Sequence, residues 1–209
     1  MDWLVTAVIL ISFIILAEAN LWRLIRLAAI QGALLSILPP IAQNGDLHSL
    51  LVFAGSFTIK AVVIPLFLYR SIKEAKIQRE GDAAIGVGLS LLCGGGILVT
   101  AFAGFRAFPL PTAPFPPLII PAALATVLIG FFLLVSRTQA ITQVIGFLVL
   151  ENGVFLFGIT LLKDFPLTVE LGVLLDLLVG VFVMGIMIYH INRTFDHIDT
   201  AALTKLRDH

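Results

Sequence analysis

Apolar runs of about twenty residues, set apart by short polar breaks, recur along this chain and leave it few ways to fold. In hydrocarbon every backbone N–H and C=O must be satisfied within its own segment, so each run closes into a helix of roughly 20 residues, long enough to cross ~30 Å. With 59% hydrophobic and 12% charged residues over 209 positions, the expected fold is an all-α polytopic membrane protein, and a soluble globular domain is excluded. Seven spans fit, at about 3–20, 24–41, 47–69, 83–105, 118–135, 141–162 and 167–189. The run at 3–17 has neither a basic leader nor a small-residue cleavage site, so it reads as a retained span and not a signal peptide.

Alternating seven spans sends Arg23, Arg26, Arg70, Lys73, Lys76, Arg79, Arg137, Arg193, Lys205 and Arg207 to one side and only Arg106 and Lys163 to the other. The positive-inside rule then places the N-terminus outside and the C-terminus in the cytoplasm. Acidic and basic residues balance at 13 each, so nothing in the net charge calls for nucleic acid, and the lipid bilayer is the expected surrounding. The chain divides into an N-terminal three-helix unit at 1–70, a charged cytoplasmic connection at 71–82, a four-helix unit at 83–189 and a cytoplasmic tail at 190–209.

The connection after the third run interleaves both signs of charge at spacings that suit a short amphipathic helix continuing from it. The connection at 106–117 holds five prolines and is expected to lie extended across the outer face. Gly86, Gly88 and the run Gly94-Gly95-Gly96 strip bulk from the fourth span and let another helix approach it. Arg23 followed nine residues on by Gly32 echoes Arg137 followed nine residues on by Gly146, the trace of a duplicated three-helix unit if it is one.

Three ionisable residues, Glu151, Asp176 and Lys60, stand where charge is costly. Glu151 and Asp176 each fall near the middle of a run, roughly 15 Å deep at ~1.5 Å per residue. An ionised carboxylate there costs about 2.5–3.5 kcal/mol, and residues at this depth usually serve ions. On a helix Glu151 shares its face with Phe147, Leu148, Val154, Phe155 and Gly158, with Asn152 beside it. It reads as an ion-transfer group or as a carboxyl that merely bonds a neighbouring helix. Asp176 lies between Gly172 and Gly180, which leave room beside it, while Glu170 sits near the outer end of that run about 240° around the helix and reads as an interfacial entry or exit point. Lys60, with Ser56 on its face and Pro65 following, is too deep to snorkel. It either joins a relay or pairs with a neighbouring subunit. Gln31 and Glu18, near the inner third of their spans, read as interhelical glue or as extensions of a polar path.

Other chemistries drop out. His48 and His190 lie at opposite edges and cannot ligate one haem iron, and the single Cys93 forms neither a disulfide nor a metal cluster. There is no metal-spaced His/Cys set and no dinucleotide fingerprint, so no cofactor and no catalytic residue is expected.

The run Gln143-Val144-Ile145-Gly146-Phe147-Leu148-Val149-Leu150-Glu151-Asn152-Gly153, followed by Val169-Glu170-Leu171-Gly172 and Asp176, resembles the membrane component E of hydrogenase-4 and formate-hydrogenlyase-type complexes. Thr58-Ile59-Lys60 with Val63-Ile64-Pro65, and the tail from Asn192-Arg193-Thr194 to Leu203, look like other parts of that family. Its last three helices are similar to the K subunit of respiratory complex I and the C subunit of multisubunit cation/proton antiporters, in which two membrane glutamates serve a polar axis. Here Glu151 stands about one turn later than the counterpart carboxylate, and Asp176 replaces the second glutamate.

The resemblance implies a non-catalytic membrane-arm subunit of an energy-converting complex in a prokaryotic plasma membrane. Its partners would be antiporter-like subunits and, through them, a hydrogenase module, with Glu151, Asp176, Lys60 and Glu170 on a proton or sodium path. A structural scaffold and an autonomous secondary transporter are the alternatives.

Overall fold

The computed structural model describes residues 2–42, 47–75, 85–107 and 117–161. These are helices joined by short turns, with no strand among the described residues. In order they form α1 (Asp2–Ala17), α2 (Leu21–Ser36), α3 (Leu38–Ala42), α4 (Leu47–Phe57), a π-helical segment (Thr58–Val63), α5 (Ile64–Ala75), α6 (Val87–Ala107), α7 (Ile119–Ser136) and α8 (Ala140–Leu161). Five stretches are long and apolar enough to cross a membrane: Leu21–Ile41, Phe53–Arg70, Val87–Arg106, Ile119–Ser136 and Ala140–Thr160. The first run yields an apolar helix of 16 residues, about 24 Å at the standard rise. The seventh expected span lies outside the described residues.

Local chemistry sets the breaks. Asn20 caps α2, its side chain accepting from the backbone N–H of Trp22 at 3.0 Å and of Arg23 at 3.4 Å. Glu18, expected inside the first span, lies past the end of α1. There it accepts from the N–H of Ala19 and of Asn20 and pairs with Arg23 at 3.1 Å, so it orders the α1–α2 turn and is no part of a mid-membrane path. The second run, expected as one helix, divides at Ile37, after which Pro39 and Pro40 occupy the first turn of α3, where a missing N–H is tolerated.

The third run is also not one regular helix. Pro65 has no N–H to give and its ring crowds the carbonyl four residues back, and just before it the ladder opens so that Ile64 N–H bonds Ile59 O, five residues behind. The widened turn contains Lys60.

Two apolar cores form, one above the other. One gathers Ile15, Leu16, Leu24, Ile64, Leu133 and Ile145 near the α1–α2 and α7–α8 turns. The other gathers Leu4, Val8, Leu35, Ile119, Ala123 and Leu156 at the opposite end. α7 and α8 make the most extensive contact, along a glycine seam. A Cβ on Gly130 would run into the backbone of Leu150, one on Gly146 would lie 2.9 Å from Leu134 N, and one on Gly153 would lie 2.5 Å from Val127 N. On α6 only Gly94 meets a neighbour that closely, against Leu16 at 2.6 Å, while Gly95 and Gly96 face open space.

Candidate functional site

Between the two cores lies a polar layer. On α1, Ser12 falls between Val8 and Ile15; on α2, Gln31 falls between Ala28 and Leu35; on α8, Glu151 and Asn152 fall between Val149 and Phe155. All four are buried, as is Lys60 at 7% exposure, so the charges sit in the interior and not on a wet rim.

Helical phase explains why Glu151 faces this layer. Gly153 is two residues on, about 200° around the helix, and it lies against α7. The glycine seam therefore turns Glu151 to the opposite side, toward the π-helical segment. There Lys60 Nζ stands 2.5 Å from Glu151 Oε1. The ammonium also donates to Asn152 Oδ1 at 3.2 Å and lies 5.0 Å from the centre of the Phe155 ring. Its stem crosses α2 at Gly32, where a Cβ would sit 2.8 Å from Lys60 Cβ. Only glycine there lets the lysine reach α8.

Glu151 Oε2 is buried and accepts no hydrogen bond among the described residues. From Asn152 the layer continues sideways: Asn152 Nδ2 donates to Gln31 Oε1 at 3.4 Å. Gln31 Nε2 donates to Ser12 Oγ at 2.9 Å and to Val8 O at 3.3 Å, and Ser12 Oγ donates to Val8 O at 2.9 Å. No group of three or more His, Cys, Asp or Glu residues that would hold a metal ion occurs among the described residues.

Lys60 and Glu151, singled out separately from the sequence, are thus partners within one chain. The reading in which Lys60 seeks its counter-ion on a neighbouring subunit is not needed to pair it. Asp176 and Glu170 lie outside the described residues. Gln31 acts as the expected interhelical glue, bonding both α1 and α8. Ser12 was missed by the sequence reading, although it shares the mid-run depth of Gln31, Lys60 and Glu151.

A second buried cation closes one end of the layer's scaffold. Arg137, at the α7–α8 turn, donates from Nη2 to Leu16 O at 2.9 Å, meeting a carbonyl left over at the C-terminus of α1. Gln143 Nε2 donates to Arg137 O at 3.0 Å and tightens the same turn. Arg137 is 6% exposed, so part of the basic-residue excess read from the connections is a helix cap and not free surface charge.

Over 214 residues the chain is 34% identical to the uncharacterized protein Rv0085 of Mycobacterium tuberculosis (strain ATCC 25618 / H37Rv), covering 99% of this chain and 96% of that one. Over 175 residues it is 26% identical to hydrogenase-4 component E of Escherichia coli K12, covering 83% and 81%. The same figures hold for hydrogenase-4 component E of Shigella flexneri. No family model and no solved structure matches the chain.

Proposed function

Since this chain belongs to the family of the mycobacterial protein Rv0085 and is a distant relative of hydrogenase-4 component E, we propose that it is a membrane-arm subunit of a redox-linked complex and carries a proton path. In this reading seven spans cross a prokaryotic plasma membrane with the C-terminus in the cytoplasm. Antiporter-like subunits flank it, the hydrogenase chemistry resides in other subunits, and its C-terminal helices play a part like that of the complex I K subunit.

One observation carries the reading: a buried Lys60–Glu151 pair whose second carboxylate oxygen has no hydrogen-bond partner among the described residues. A proton arriving on Oε2 turns the carboxylate into the acid and removes the countercharge of Lys60. The ammonium then releases a proton onward. Transfer from the acid to the amine restores the ion pair, and one proton has passed. Asp176 and Glu170 are proposed as further stations on this path. As a mere helix brace the pair would be a poor investment, because buried ion pairs roughly break even against apolar residues of similar volume.

The test is redox-driven proton translocation by the purified complex carrying Glu151→Gln or Asp176→Asn. Normal assembly with translocation lost is the expected result. Full translocation in both variants would refute the path, and loss of assembly with unchanged protons per turnover in the residue of complex would return the pair to a scaffold role.

A further inference from the structure

The line Ser12–Gln31–Asn152 has a fixed polarity, and we infer that it is a positioning device that aims an acceptor oxygen at Lys60. The inference rests on the proton-path reading above. The polarity follows from the far end. Val8 O is a carbonyl and only accepts, so the Ser12 hydroxyl hydrogen is committed to it at 2.9 Å. Ser12 Oγ is then left as an acceptor, which orients the Gln31 amide with its NH2 toward α1. Both hydrogens of Gln31 Nε2 are used, on Ser12 Oγ and Val8 O, so Gln31 Oε1 faces the other way and receives Asn152 Nδ2. Asn152 has no choice but to present Oδ1 to the ammonium at 3.2 Å.

A backbone carbonyl on α1 thus dictates, through two side-chain amides, which end of Asn152 Lys60 meets. Reversing Asn152 would point an NH2 group at the ammonium. The line is also closed to protons: neither amide titrates, and the one hydroxyl points away from Lys60. It therefore holds Lys60 against Glu151 without offering a leak toward α1, and a proton leaving the pair goes elsewhere. The positioning residues are Ser12, Gln31 and Asn152, none of which is a station on the path.

The test uses the complex purified with its native partners, bearing Ser12→Ala, Ser12→Thr, Gln31→Leu, Asn152→Leu and the Gln31→Leu/Asn152→Leu pair. Two readouts are taken: the rate of redox-linked proton translocation, and the infrared band of the Asn152 side-chain carbonyl in protein with carbon-13-labelled asparagine, assigned by its loss in Asn152→Leu. Ser12→Ala and Gln31→Leu are expected to shift the band toward that of an unbonded amide. They should also slow translocation roughly tenfold, the scale of one hydrogen bond to a charged group. Ser12→Thr, which keeps the hydroxyl, is expected to restore both. Gln31→Leu should add nothing in the Asn152→Leu background, because it acts only through Asn152. An unmoved band, or full additivity of the pair, overturns the lock. If Glu151→Gln and Asp176→Asn both leave translocation intact, the proton path fails by itself, and the Asn152 band still decides the lock.

Discussion

The two helices that meet at the ion pair belong to different regimes. Of the span Ala140–Thr160, 67% is buried within the chain; of Phe53–Arg70, which carries Lys60, 17% is, the same share as in Val87–Arg106. α8 is fixed by glycines pressed onto the backbone of α7. The Lys60 span turns Val62, Leu66 and Phe67 outward and is interrupted by its π turn. In a bilayer such faces are covered by lipid or by neighbouring subunits. The contrast teaches that the carboxylate is held on a rigid wall while its counter-ion is held on an element with slack, an arrangement in which a partner subunit pushing on the third span would alter the pair from the lysine side.

Removing the lysine breaks this comparison most severely. Lys60→Met leaves a buried carboxylate on the rigid wall without its counter-ion, and about 3–5 kcal/mol of stability should be lost. Lys60→Met with Glu151→Leu should recover most of it, since two apolar side chains need no pairing. Thermal unfolding in detergent reads both. If Lys60→Met costs under ~1 kcal/mol, α8 is not rigid enough to keep Glu151 from finding another partner.

Much of the polar layer was legible in the sequence, and the reason is chemical. A lysine or a glutamate in the middle of a twenty-residue apolar run is costly to leave in hydrocarbon, so Lys60 and Glu151 stood out. Their pairing did not, because it depends on the phase of the third span, which a π turn resets and a regular helical wheel cannot show. Pro65 was the available signal. Ser12 was silent for a different reason: a serine that bonds its own helix four residues back, here to Val8 O, leaves no mark in hydropathy. Of the seven expected spans, five coincide with stretches long and apolar enough to cross a membrane, the first is a shorter apolar helix and the seventh lies outside the described residues; prolines divide the second, at Pro39-Pro40. Glu18 was misplaced because Asn20 starts a new helix, and a capping residue interrupts an apolar run without lowering its average hydropathy by much.

The seam predicts a smaller effect on the rigid side. Gly153→Ala puts a methyl group 2.5 Å from Val127 N and 3.0 Å from Ala123 O, both backbone atoms that cannot swing aside. The helices must separate, at a cost of about 1–3 kcal/mol. Because Glu151 is two residues away, the displacement should also weaken its contact with Lys60. Unfolding midpoints would register the first effect. A cross-link yield between cysteines placed on α8 and on the span that carries Lys60 would register the second, and an unchanged yield would mean that the displacement at the seam does not reach the ion pair.

On the open side the same substitution should do the reverse. A Cβ at Gly95 meets nothing within 4 Å, so Gly95→Ala adds a methyl group that displaces no protein atom. Alanine gives up less conformational freedom than glycine when it enters a helix, which favours the variant by up to about 1 kcal/mol. Unfolding of the isolated chain should therefore be unchanged or slightly delayed. A clear destabilisation would mean that part of this chain covers α6, and the division into a rigid wall and a loose face would have to be redrawn. Residue type is constant across the two tests, glycine to alanine in the middle of an apolar helix, so the sign of the difference reports packing alone.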